Sequence, residues 1–235
     1  LLRDYITDQE LYEKIVDRYE SKKSNEDLFI MSISMQNHGG YTEKYDNFDE
    51  KARMLGINYP DVNQYLSLIH ESDSALEYLI SYFEKVDDPV EIVFFGDHQP
   101  SLSSSFYPYL NGKGLGGLTL SELENLYTVP FFIWTNYDSD KESVELTSLN
   151  YLSTLALERA GIALPAYNQF LADMMEEIPA VNSRGFYSKS QGKFLHVEDA
   201  AGEDAKWLKN YEILQYNNMF DKRNKSELFF PYLKQ

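Results

Sequence analysis

The stretch FFGDHQP, residues 94–100, decides how this chain reads. Residues 90–95, from Val90 to Phe95, are dominated by β-branched and aromatic side chains. That is the pattern of a strand covered on both faces of a sheet. Gly96 permits a sharp exit, and Pro100 keeps the chain from rejoining a sheet or entering a helix interior. Asp97 and His98 therefore fall at the carboxyl end of a core strand, where open α/β sheets hold their ligands. The competing reading is an Asp that starts a turn and a His that faces solvent.

Upstream, residues 28–35 (LFIMSISM) form a second apolar strand candidate, left through the double-glycine loop QNHGGYTEKYDNF. Between the two runs, from Asp61 to Val86, the residues Val62, Tyr65, Leu66, Ile69, Leu76, Leu79, Ile80 and Phe83 recur at helical spacing behind Pro60. Strand, helix and strand in that order make a βαβ unit, which sets the strands parallel with both carboxyl ends on one edge. His38 leaves the first strand there, and Asp97 with His98 leaves the second. A solvated turn does not explain why both exits carry histidine.

Elsewhere Thr7 and Glu10 have capping-box spacing and open a helix over residues 8–21, with Leu11, Ile15 and Val16 on one face. Residues 101–126 are rich in Ser and Gly; Gly112, Gly114, Gly116 and Gly117 fit either a lid beside the rim or a plain surface excursion. VPFFIWTN (129–136) reads as a third strand, and a helix over 147–160 stops at Gly161. GFYSKSQGKFLHV (185–197) reads as a hairpin turning at Gln191-Gly192 on a sheet edge, and a last helix spans 203–219.

Composition narrows the function classes. A chain of 235 residues can build one α/β domain with a real core. Lys plus Arg number 21 against 38 Asp plus Glu, a net charge of −17, which disfavours gripping nucleic acid or an anionic membrane through bulk charge. Acidic groups can still hold a cation that bridges to an anionic substrate. The absence of cysteine excludes disulfides, thiolate nucleophiles and Cys-based zinc sites. No run of 18 apolar residues exists. The opening LLRDYITDQE has neither an initiator Met nor a signal-peptide pattern, so the chain reads as a piece of something longer.

Of the four histidines, His70 lies one position past the apolar stripe of its helix and reads as a helix-surface or second-layer residue, and His196 in the hairpin reads as structural. His38 and His98 are the functional candidates. A histidine beside a carboxylate suits a divalent metal bound by nitrogen and oxygen, meaning manganese, zinc or magnesium, although two protein ligands are too few for a stable site. A Ser-His-Asp hydrolase would need a Gly-x-Ser-x-Gly elbow, which is absent, as are a Walker A loop and a dinucleotide fingerprint. Metal-assisted transfer is the enzyme class left.

FFGDHQP, preceded 60 residues earlier by SMQNHGGY, resembles the lipoteichoic acid synthase family, a sulfatase-like branch of the alkaline phosphatase superfamily. YLSLIHESDSALEYLISYF, VPFFIW, LTSLNYLSTLALERAGIALP and the closing KWLKNYEILQYNNMFDKR are similar to that family as well. The resemblance covers essentially the whole chain but only the C-terminal part of the family's extracellular domain. It implies an α/β fold with a mainly parallel sheet flanked by helices, ending in an antiparallel hairpin and a terminal helix. Residues 1–235 would be the C-terminal portion of one such domain. By the same resemblance Asp97 and His98 match the residues that bind the catalytic metal, manganese first, with magnesium or zinc as alternatives. His38 matches the histidine that contacts the phosphoglycerol group.

Members of that family are anchored by N-terminal transmembrane helices on the extracellular face of Gram-positive cell membranes. They transfer glycerol phosphate from phosphatidylglycerol through a covalent intermediate on a threonine. The resemblance puts that threonine and a metal-binding glutamate ahead of Leu1, so this chain would carry no catalytic nucleophile and would be inactive alone. Its partner would be a lipid-linked phosphoglycerol. A sulfatase or phosphoethanolamine transferase of the same superfamily, and a non-catalytic scaffold that kept the fold, are the alternatives.

Overall fold

A computed structural model describes residues 1–221 and residue 229, which form two compact units. The first comprises Leu1–Val90 and His98–Gly117; the second comprises Glu91–Asp97 and Leu118–Gln235.

The first unit is built on two helices. α1 (Asp8–Glu20) starts where Thr7 adopts extended backbone and its side chain accepts from the Glu10 amide, as the spacing of the two residues requires. α2 (Pro60–Phe83) starts with proline at its first position, where no amide hydrogen is needed. Tyr12 and Val16 of α1 and Leu68, Ala75, Leu79 and Phe83 of α2 are buried, and Tyr19 meets the Phe83 ring edge-on at 5.2 Å. The N-terminal half of α2 is different: its buried residues include Asp61, Asn63, Gln64 and Ser67. Ser67 ties residues 51 and 52 to the helix by accepting both amides at 2.9 Å. The start of the Ser- and Gly-rich segment, which the sequence left open between a lid and a plain surface excursion, is held here too. It contains the short helix α3 (Phe106–Asn111), the Ser103 amide donates to Asp61 at 2.6 Å, and the Tyr59 hydroxyl donates to the Ser105 carbonyl at 3.1 Å.

The second unit contains β1 (Glu91–Phe95), α4 (Leu120–Asn125), β2 (Phe131–Thr135), α5 (Leu152–Arg159), α6 (Ala166–Glu177), β3 (Gly185–Ser188), β4 (Lys193–His196) and α7 (Gly202–Phe220). Its core joins Tyr151, Leu171, Met174, Ile178, Phe186 and Tyr211. The Tyr151 hydroxyl donates to the Ile178 carbonyl at 2.7 Å, so the polar tip of that fully buried ring is satisfied. Burial in this cluster pushes the Tyr211 phenol up to about 12. Gly192 turns the β3–β4 hairpin with φ +63°, a left-handed conformation that favours glycine. α7 extends the expected terminal helix by a residue at each end; positions 222–223 of the segment compared above lie outside the described residues.

The parallel sheet is a correction. β1 pairs with β2 antiparallel, in the register Glu91↔Thr135 to Phe95↔Phe131, and β3 pairs with β4 antiparallel. Among the described residues these are the two sheets, and residues 28–35 belong to neither. Phe29 is 90 % exposed, Met31 72 % and Ile33 73 %. An apolar run becomes a strand only where another strand offers its amides and carbonyls, and none lies along 28–35 among the described residues. The βαβ unit therefore does not form, and with it goes the argument that strand exits bring His38 to the rim of Asp97 and His98.

Candidate functional site

His38 sits in a turn whose position is set by a buried arginine. Arg3 is 3 % exposed and has φ +51°, a left-handed backbone rare outside glycine. Its Nη2 donates to the Gln36 carbonyl at 3.0 Å and the His38 carbonyl at 2.6 Å; Nη1 donates to the Gly40 carbonyl and to Gln64 Oε1. The guanidinium lies 5.3–5.7 Å from the ring centres of Tyr5, Tyr41 and Tyr45. Carbonyl dipoles and ring faces thus surround a charge that burial would otherwise make costly.

A second layer locks the same turn to both helices. Gln36, 1 % exposed, accepts the Asp8 amide at 3.0 Å and donates to Ser72 Oγ at 3.0 Å. Asn37 donates to Ser72 Oγ at 2.8 Å, and the Ser72 hydroxyl donates to Asp8 Oδ2 at 2.5 Å. The Tyr41 hydroxyl donates to the Asn37 carbonyl at 2.7 Å. Burial pushes the Tyr41 phenol up to about 12, so it remains a donor at neutral pH. The His38 side chain itself is exposed, with Nδ1 3.2 Å from the Tyr5 hydroxyl and the two ring centres 5.7 Å apart.

Asp97 and His98 follow β1 directly, and both are exposed. β1 stops at Phe95, and the amide of the next residue, Gly96, donates to the Pro130 carbonyl at 3.0 Å. A Cβ there would meet Val129 Cβ at 3.1 Å, so glycine fits the close approach of the two strands. His98 Nδ1 lies 3.0 Å from the Gln99 carbonyl. A carbonyl can only accept, so Nδ1 carries the proton, and in the neutral ring the lone pair is on Nε2. An imidazole held in this way by its own backbone has the tautomer a metal ligand uses. The donor chemistry of a carboxylate and an imidazole fits a divalent cation. Among the described residues no group of three or more His, Asp or Glu could hold one, so the pair fits as part of a ligand set.

His70 is exposed on α2 and His196 is exposed at the end of β4. Arg3, Tyr5, Gln36 and Ser72 are the residues around the candidate His38 that sequence reasoning missed. Their trace was the polar interruption of an apolar stripe: Asn63, Gln64, Ser67 and Ser72 stand where α2 should be apolar, and of these Ser72 meets Gln36 and Asn37 while Gln64 meets Arg3.

The sulfatase family profile matches residues 3–162, more than half of the chain and inclusive of all three candidate residues. A putative cyclic β-1,2-glucan modification protein of Rhizobium meliloti (strain 1021) is 23% identical over 234 residues, 96% of this chain and 36% of its own length. The capsular polysaccharide biosynthesis protein RkpI of the same organism is 34% identical over 105 residues, 45% of this chain and 18% of its own. Among solved structures, Streptococcus pyogenes phosphoglycerol transferase GacH in complex with sn-glycerol-1-phosphate matches with a TM-score of 0.61 at 20% identity, over 90% of this chain and 48% of its own. Likeness at that identity is likeness of fold.

Proposed function

The chain belongs to the sulfatase family, and from that premise we propose that it is part of a divalent-metal-dependent phosphoglycerol transferase. The reaction moves phosphoglycerol from a phosphatidylglycerol-type lipid to an acceptor hydroxyl and releases diacylglycerol. The activity is proposed for the whole protein, because the chain spans 48% of its structural neighbour and 36% of the first curated relative. The observation that carries the reading is the turn after β1, where an exposed carboxylate precedes an imidazole whose Nδ1 donates to its own backbone. That turn lies in a chain with the fold of a phosphoglycerol transferase.

In this reading Asp97 and the Nε2 side of His98 contribute to holding the metal, manganese first. A bound divalent cation supplies a Lewis acid that activates a hydroxyl nucleophile and offsets charge on the phosphoryl oxygens. His38 donates a hydrogen bond to the phosphoglycerol group and orients it. No residue of this chain is assigned the nucleophile's role. The working place is the outer face of a membrane, where the lipid donor is; no helix among the described residues is long and apolar enough to cross one.

The relatives' names favour a glycan as acceptor, since one is a putative cyclic glucan modification protein and the other belongs to capsular polysaccharide biosynthesis. A growing polyglycerol phosphate, as in lipoteichoic acid synthesis, is the second acceptor. Both are tested in one assay. The protein that contains this chain is given a phosphatidylglycerol analogue with manganese and either acceptor, and diacylglycerol release is followed. Turnover should require manganese and disappear in His98→Ala and Asp97→Ala. Turnover by the 235-residue chain alone, or undiminished turnover in both variants, sinks the assignment. Activity confined to a sulfate ester or phosphoethanolamine lipid moves the substrate and keeps the metal site.

A further inference from the structure

The Tyr5 hydroxyl and His38 Nδ1 are 3.2 Å apart, on a turn that Arg3 fastens by three backbone carbonyls. Two arrangements of protons satisfy that contact. Either the phenol donates to Nδ1, or Nδ1–H donates to the phenol oxygen. Phenol is the stronger hydrogen-bond donor of the two, and an imidazole lone pair is the stronger acceptor. Among the described residues the Tyr5 hydroxyl has no other acceptor to turn to. The first arrangement follows, and it puts the remaining ring proton on Nε2.

We propose that Tyr5 is a positioning residue for His38, holding the imidazole as the Nε2–H tautomer so that it presents a hydrogen-bond donor to an anionic or hydroxyl oxygen of the substrate. The proposal rests on the reading of His38 as a substrate-binding residue. It assigns the two histidines opposite tautomers for opposite tasks. His98, with Nδ1 donating to Gln99, carries its lone pair on Nε2 and suits a cation. His38, with Nδ1 accepting from Tyr5, carries a proton on Nε2 and suits an oxygen of phosphate or glycerol. The orienting groups also differ: for His98 it is the neighbouring backbone, whereas for His38 it is a side chain 33 residues away.

Arg3 makes the contact reproducible. It joins Leu2 and Tyr5, which bridge each other through backbone hydrogen bonds of 2.9 and 3.0 Å, to the turn that carries His38. Its positive φ is the cost of turning the backbone so tightly between them, and its forked donors meet the carbonyls of residues 36, 38 and 40. Tyr5 and His38 are therefore not two surface side chains that happen to touch. Both are fixed at the backbone by the same buried cation.

The test uses nitrogen-15-labelled chain and ring correlations of the four histidines, with His98 as the internal reference. The unchanged protein should show His38 protonated on Nε2 and His98 on Nδ1. In Tyr5→Phe, which keeps the ring and removes the hydroxyl, the His38 Nδ1 resonance should move towards that of an unbonded imidazole. Its ring order should fall while His98 stays put. An Nδ1–H ring for His38, or a His38 signal identical in both proteins, overturns the proposal. The protein that contains this chain, titrated with sn-glycerol-1-phosphate with and without Tyr5→Phe, separates it from the functional reading. Affinity about 3–10-fold lower in Tyr5→Phe supports both. The spectral change without any binding to that unchanged protein supports the positioning role of Tyr5 and overturns the substrate assignment of His38.

Discussion

Residues 28–38 and residues 91–98 read almost alike: each is an apolar run that gives way to a polar turn ending in histidine. The structure treats them in opposite ways. In the second, the run is laddered to β2 and Phe94 stacks on Phe132 with ring centres 5.2 Å apart, while the turn beyond it is exposed. In the first, the run is exposed from Phe29 to Met35, and it is the turn that is gripped, by Arg3, Ser72 and Asp8. A histidine can thus be placed by the strand that leads to it or by the side chains that receive it. Apolar sequence announces only the first of these routes.

The comparison breaks most easily at Arg3. Arg3→Ala strips donors from three carbonyls and an amide oxygen, and leaves those of the buried residues Gln36 and Gln64 without that partner. It should lower unfolding free energy by about 3 kcal/mol, read by denaturant titration. His98→Ala, on the exposed turn, should stay within about 0.5 kcal/mol. A loss at Arg3 no larger than that at His98 would remove the distinction between gripped and exposed turns.

The next effect belongs to the runs themselves. Phe132→Ala should cost about 1.5 kcal/mol through loss of the stacked cross-strand pair. Phe29→Ser, at a side chain 90 % exposed, should leave the midpoint within about 0.5 kcal/mol. Equal costs would mean that residues 28–35 pair in solution after all.

The smallest effect sits at the start of β1. Desolvation raises the Glu91 carboxyl above its usual range, against the pull of Arg159 and a hydrogen bond from Tyr137. For an acid whose folded pKa is raised, ionisation is favoured in the unfolded chain. Stability is therefore lost as pH climbs above the ordinary carboxylate value, and nothing is lost below it. Glu91→Gln should raise Tm by on the order of 1–2 °C at pH 7 and leave it unchanged near pH 3.5. A rise that persists in acid would assign the gain to packing rather than charge.

What could be read in advance follows the same line. α1, α2, β1, β2, the β3–β4 hairpin and α7 were legible because period, cap and turn are local properties of the chain. Thr7, Pro60 and Gly192 each announced their element. Strand direction was not legible, since it depends on which distant run arrives alongside; the inference of a βαβ unit supplied a partner from sequence order, and β2 took the place instead. α6 was overlooked between Pro165 and Ile178, although Leu171 and Met174 are among the most deeply buried residues of its unit. His38, Asp97 and His98 drew notice as residue types in a pattern. Arg3 did not, because nothing in the letters LLRDY says that a cation will turn inward and meet carbonyls 33 to 37 residues away.

α2 is held by hydrogen bonds through Asn63, Gln64 and Ser67 near its start and by apolar packing through Ala75, Leu79 and Phe83 near its end. Apolar contacts weaken on cooling, whereas hydrogen-bonded contacts do not share that dependence. One helix therefore has two thermometers. In the cold, amide exchange should quicken first around Leu79 and Phe83, while the first turns, which bond Arg3 and residues 43–54, keep their protection. The histidine's seat would be the part of this unit least disturbed by a drop in temperature.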